Sequence, residues 1–203
     1  MMCVFSLFCL PAIAKFIEER VLFIREKNGG FYSTMSYYLS SFLVEFPILL
    51  SIVLVYGCIC YWMVGLTATA EAFFFFLLVI VLVINVGFSL SQLISAAVSS
   101  LNLAIAIYMI VLVYSLLMGG FIVGKNSLPS GIQWMLQTSY FYHGYSSLIV
   151  NEFETKEYGP AVIDNSDFGD VNKFVEAGIL VGFFVGLRIA TYFVLVYITR
   201  KHQ

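Results

Sequence analysis

From Ala72 to Val98 the chain reads AFFFFLLVIVLVINVGFSLSQLISAAV, without one Asp, Glu, Lys or Arg. As a helix rising about 1.5 Å per residue, this run outspans the roughly 30 Å hydrocarbon core of a bilayer. A water-soluble fold would have to cover it completely, and composition argues against that. Hydrophobic residues make up 61% of the 203 and charged residues 11%, against about 45–50% and about 25% in soluble domains. The chain is read as all-α, a single polytopic membrane domain over residues 1–203.

Five segments are long and apolar enough to cross, or nearly so: 1–17, 40–64, 72–98, 103–123 and 174–199. The first is marginal in length, and Pro11 would kink it unless neighbouring helices satisfy the freed carbonyl. Its opening, MMCVFSLFCLPAIAKF, lacks the basic start and cleavage site of a signal peptide. The stretch 128–150 is interrupted by Gly, Ser, Gln and His and suits a re-entrant hairpin within an outer region, 124–173. Lys15, Arg20, Arg25, Lys27, Arg200 and Lys201 are six of the ten cations. By the positive-inside rule they place the first loop and the C-terminus in the cytoplasm. The acidic segment 151–176 then lies outside. Five spans from an outer N-terminus read as a domain truncated before its first residue.

Charge elsewhere is concentrated. Glu18, Glu19, Arg20, Arg25, Glu26 and Lys27 alternate with Phe16, Ile17, Val21, Phe23 and Ile24, closed by Gly29 and Gly30. This pattern predicts an amphipathic helix over 16–30 at the cytoplasmic surface. A topology signal needs only cations, so the mixed charge suggests a docking surface for a protein partner; an ordinary positive-inside loop is the plainer alternative. No basic field for nucleic acid exists. Cys3, Cys9, Cys58 and Cys60 lie in apolar runs with neither zinc-ligand nor disulfide spacing. His143 has no second histidine near it in sequence, so no metal site is expected.

Glu45 and Arg188 stand out as intramembrane charges, which are costly and usually face protein or water. Their depths from the cytoplasmic helix ends roughly match, so an ion pair is expected. The alternative has Glu45 at the interface and Arg188 bonded to carbonyls or hydroxyls. Gly178, Gly182 and Gly186 form a stripe that permits close helix packing, within the subunit or across a dimer.

The series EERVLFIREKNGGFYS…SYYLSSFLVEFP, YWMVGL…AEAFFFF and GGFIVGKNSLPSGIQWMLQTSYFYHGYSSLIVNEF resembles, in order, the G subfamily of ABC transporters, the White and pleiotropic-drug-resistance group. The resemblance covers spans two to six and lacks the nucleotide-binding domain and the first span. No Gly-x-x-x-x-Gly-Lys-Ser/Thr occurs, so no ATPase is expected on this chain; ATP and Mg would be bound by the absent domain. Unlike many members, the last outer loop has no cysteine, and Asn126 and Asn165 form no sequon.

The resemblance implies a permease that exports lipids, sterols or hydrophobic xenobiotics by alternating access, from a plasma or organelle membrane. It makes 16–30 the connecting helix, with Glu19, Arg20, Arg25 and Glu26 coupling to a nucleotide-binding domain, upstream or separate. Met109, Val113 and Leu116 share a helix face and would line the substrate cavity. Phe121 and Ile122 would form an outer gate at a homo- or heterodimer axis. The alternative is a non-transporting scaffold or channel-like protein derived from a truncated transporter gene.

Overall fold

The structure, a computed structural model, describes residues 6–31, 33–124, 128–129, 131–154, 156, 159–165, 168–169 and 171–201. The start of the expected first span (1–5) and the Asn126–Ser127 position lie outside them. The described residues are all helix and connection: α1 (Leu10–Asn28), α2 (Thr34–Val64), α3 (Ala70–Ala97), α4 (Leu101–Leu117), α5 (Trp134–Gln137), α6 (Tyr140–Phe153), α7 (Gly159–Asn165) and α8 (Lys173–Lys201).

Helix α3 is the axis of the bundle. It is buried on nearly every side, from Ala72 to Ala96, and packs against α1, α2, α4, α6 and α8. Its apolar side chains therefore meet other side chains, which is why the whole run can be hydrophobic without amphipathic patterning. The outer helices each bury one stripe. On α2 this is Tyr38, Glu45, Leu49, Val53, Gly57 and Tyr61, mostly at steps of four. At Gly57 an added Cβ would stand 2.9 Å from Leu77 Cδ2, so glycine lets α2 close on α3. Ser33 caps the start of α2 by accepting from the Ser36 amide, and Gly65, at φ 71°, ends it.

Among the described residues, three helices are long and apolar enough to span a membrane: Thr34–Val64, Ala70–Ala97 and Lys173–Arg200. The expected span 103–123 is shorter, since α4 stops at Leu117. Its 17 residues reach about 25 Å. Gly119 and Gly120 follow and turn the chain out of helix, Gly120 at φ 78°. There a Cβ would press on Tyr142 at 3.1 Å and Phe168 at 3.2 Å.

The N-terminal expectation needs a correction. The first span and the 16–30 helix are not two described elements: α1 runs unbroken from Leu10 to Asn28. Pro11 sits in its first turn, where its missing N–H leaves no bond unmade, so it starts a helix rather than kinking one. Cys9, Ile13, Phe16, Arg20 and Phe23 are all buried, at steps of four and three. The chain just before α1 is tied into the bundle through Ser6: its carbonyl accepts from Tyr108 Oη at 2.8 Å and its hydroxyl meets Tyr140 Oη at 3.1 Å. The 128–150 stretch becomes a single turn, α5, followed by the 14-residue α6, too short to cross.

Candidate functional site

Glu45 is buried, at 8% exposure, and it does not meet Arg188 directly. Gln92 of α3 stands between them. Its Nε2 donates to Glu45 Oε2 at 2.8 Å, and its Oε1 accepts from Arg188 Nη1 at 2.6 Å. An amide is suited to this place, because one end donates and the other accepts. Lys15 of α1 lies 3.6 Å from Glu45 Oε1. The expected direct ion pair is thus corrected to a relay joining α2, α3 and α8, with α1 at its edge. The Arg188 guanidinium is further enclosed by rings, with Cζ 4.7 Å from the Phe42 centroid and 5.5 Å from that of Phe184. The other buried hydroxyls of α3 are satisfied locally: Ser89, Ser91 and Ser95 each donate to a carbonyl of the preceding turn. Gln92 reaches outward instead.

Arg20 also departs from its expected role. It is buried and donates through Nη1 to the carbonyls of Ser95 at 3.1 Å and Ala96 at 2.6 Å. These are last-turn carbonyls of α3, which lack partners within the helix and carry the negative end of its dipole. Arg20 is therefore an internal clamp, not a surface group offered to another domain. Of the others expected to dock, Arg25 is exposed, Glu26 partly exposed, and Glu19 partly exposed beside Lys15 at 3.6 Å. Lys27 donates to Thr199 Oγ1 at 2.8 Å, so α1 is fastened to both α3 and α8.

On α4, Ala104, Tyr108, Leu112 and Ser115 face the bundle. The face opposite is open. Ile110 is 69% exposed and Val113 50%. Met109 is half-buried at the edge of this face, while Leu116 turns aside to pack on the Val79–Tyr140 cluster. The three residues expected to line one cavity are thus split, with Val113 alone fully on the open side. Phe121, 74% exposed, and Ile122, 53% exposed, continue that surface beyond the helix. The Phe121 ring meets Tyr145 edge-on at 5.8 Å.

The glycine stripe of α8 also faces out. Nothing lies within 4 Å of a Cβ built at Gly178, Gly182 or Gly186. Among the described residues, no helix of this chain uses the stripe.

At the far end of the bundle, Glu152 grips the α2–α3 connection. Thr67 donates its amide to both carboxylate oxygens at 3.1 Å and its hydroxyl to Oε1 at 3.0 Å, and Lys156 pairs with the same carboxylate. Burial works against the charge, but the bonds from Lys156 and Thr67 outweigh it and hold this carboxyl below the usual range. Asn151 donates to the Ala72 carbonyl at 3.0 Å. Gln92 and the contact of His143 Nδ1 with Glu176 Oε2 went unmarked in the sequence.

Residues 1–153 match the protein-family model described as ABC-2 type transporter. Over 205 residues the chain is 28% identical to the ABC transporter ATP-binding protein/permease wht-1 of Caenorhabditis elegans, covering 91% of this chain and 31% of that protein. It is 33% identical over 168 residues to ABC transporter G family member 19 of Arabidopsis thaliana, covering 81% and 23%. To protein white of Drosophila melanogaster it is 34% identical over 144 residues, covering 71% and 21%. The chain therefore spans between about a fifth and a third of the length of these relatives.

Proposed function

The chain belongs to the ABC-2 type transporter family, with relatives in the G family and White, and from that premise we propose that it is the membrane part of an ATP-driven exporter of lipophilic molecules. The observation that carries the reading is the open face of α4. A helix whose opposite side is packed leaves Ile110, Val113 and, beyond its end, Phe121 and Ile122 largely exposed, Phe121 meeting only the edge of Tyr145 among the described residues. A second copy, or a related chain, meeting this face across a two-fold axis would enclose an apolar pathway. Aliphatic and aromatic walls of this kind suit sterols, lipids and hydrophobic xenobiotics, because Ile110, Val113, Phe121 and Ile122 are all apolar. Phe121 and Ile122 would close its outer end.

By the positive-inside rule, the cation-rich ends of α1 and α8 would lie on the cytoplasmic side. ATP and Mg would be held by a nucleotide-binding domain, upstream or separate; one relative is itself named an ATP-binding protein and permease. It would press on the exposed Arg25 side of α1. Because Arg20 clamps α1 to α3 and Lys27 fastens it to α8, the push would move these helices as a body. The Glu45–Gln92–Arg188 relay would add α2 to that body. Alternating access then becomes a displacement of this block relative to α4 and its partner.

The test is transport by the chain within a full-length half-transporter that supplies the nucleotide-binding domain and first span, reconstituted in liposomes. ATP-dependent export of a fluorescent sterol is expected, and Val113→Trp should reduce it without lowering protein yield. A folded protein that hydrolyses ATP and moves neither sterol nor lipid analogue would contradict the proposal.

A further inference from the structure

The relay satisfies Arg188 only in part. Its Nη1 donates to Gln92 Oε1 at 2.6 Å, while Nε and Nη2 are buried and have no hydrogen-bond partner among the described residues. The rings of Phe42 and Phe184 attract the charge but offer these N–H groups no lone pair. The Tyr38 hydroxyl is turned to the Arg188 backbone, donating to its carbonyl at 3.2 Å. Glu45 does not supply the acceptor either, because Gln92 stands between the two, and Lys15 lies 3.6 Å from that carboxylate. What remains is one whole edge of the guanidinium. Nη2 is the terminal nitrogen away from Cδ, so its N–H runs parallel to that of Nε. Together they make the fork that takes both oxygens of a carboxylate.

Arg188 lines a groove of about 240 Å³ between the start of α2 and the middle of α8. Met35, Leu39, Val185 and Ile189 form its exposed rim, and Phe42 and Phe184 line it further in. Pockets for drug-sized ligands hold about 300–1,000 Å³, so this smaller one suits a single slender chain. We propose that the groove binds a long-chain carboxylic acid of the fatty-acid class. Its carboxylate sits on Nε and Nη2 of Arg188, and its hydrocarbon chain lies between α2 and α8. A phospholipid phosphate would meet the same fork, but its glycerol and headgroup would find no further charged side chain lining the groove. A carboxylate has two oxygens and nothing else to satisfy. Phe42 and Phe184 both line the groove and flank the guanidinium, so a turn of either ring uncovers the edge. Bound there, the acid ties α2 to α8 beside the relay. No residue of α4 lines the groove, so the site is separate from the pathway proposed above and does not depend on what the chain transports.

Photolabelling tests this, on the full chain in nanodiscs of neutral phosphatidylcholine. The probe is palmitic acid with a diazirine in its chain, used at about pH 8 to keep the carboxylic acid ionised. Label should fall on Met35, Leu39, Val185 and Ile189. Unlabelled palmitic acid should compete about tenfold or more better than its methyl ester, the scale of one charge-assisted bidentate contact. Arg188→Gln should lower labelling by a similar factor. Because that variant also breaks the relay, Val185→Trp gives a second reading. It fills the groove from an exposed position and should suppress labelling while leaving Tm unchanged. Competition by the methyl ester equal to that by the acid, competition by phosphatidic acid as strong as by palmitic acid, or labelling that survives Val185→Trp would each overturn the proposal.

Discussion

Gln92 bridges Glu45 and Arg188, giving its amide N–H to the carboxylate at 2.8 Å and taking the guanidinium N–H on its oxygen at 2.6 Å. A neutral side chain thus partners the buried Glu45 and the half-buried Arg188 at once, and it belongs to the helix that every other span touches. Gln92→Leu would leave each charge without this partner. Stability should fall by about 2–5 kcal/mol, the range for orphaning hydrogen-bonded buried charges. Gln92→Glu should also destabilise, by placing a carboxylate beside Glu45, and adding Glu45→Gln should recover most of the loss. Thermal unfolding in detergent reads all three, and a stable Gln92→Leu would show that the relay is incidental.

Arg20 and Arg25 lie five residues apart on one helix and should separate cleanly. Arg20→Ala removes the clamp on the α3 carbonyls and should lower Tm and yield. Arg25→Glu leaves packing untouched and should fold normally, while weakening the coupling of ATP hydrolysis to transport in a full-length transporter. If Arg20→Ala is stable and uncoupled instead, the internal role is wrong.

Glu152 gives the Thr67 end of the bundle a dependence on acid. Its carboxyl is held below the ordinary glutamate value of about 4.3. The unfolded chain therefore takes up that proton first as pH drops. Its contribution is present in full above the ordinary value and is lost as pH falls through the depressed one. Glu152→Gln should cost about 1.5–3 kcal/mol at neutral pH, as for hydrogen bonds to a charged group, and should flatten Tm against pH below about 5. A parallel loss of stability in wild type and variant under acid would place the acid sensitivity elsewhere.

The two sets of glycines predict opposite outcomes. Gly120→Ala meets a positive φ and two aromatic rings, so unfolding should be easier by about 1–3 kcal/mol. Gly182→Ala meets nothing within 4 Å and should leave the isolated chain's Tm unchanged. Equal losses at both sites would mean that the α8 stripe is packed within the chain after all.

These features were unevenly legible in the sequence. Uninterrupted apolar runs mark α2, α3 and α8 because hydrocarbon length is a one-dimensional constraint. The stripe at Cys9, Ile13, Phe16, Arg20 and Phe23 is harder to see, since an arginine occupies a position that packing would reserve for an apolar residue. Arg20 reads as surface charge until the carbonyls at the end of α3 are placed beside it. Pro11 reads as a kink only while the helix is assumed to begin before it. Likewise, Glu45 and Arg188 were visible as expensive charges, but their partner was not, because glutamine carries no charge to balance. Val113 and Leu116 share a helical spacing, and only the position of Tyr140 shows that they face different neighbours.

The central claim is that the open face of α4, continued by Phe121 and Ile122, is half of a translocation pathway formed with a second chain. Single cysteines at position 113 or 121, in a background with Cys3, Cys9, Cys58 and Cys60 replaced, test it most directly through crosslinking with a short thiol reagent in membranes. Val113→Cys and Phe121→Cys should each give crosslinked dimers, and Ile189→Cys on the outer side of α8 should not. Crosslinks at 189 with none at 113 or 121 would contradict the account.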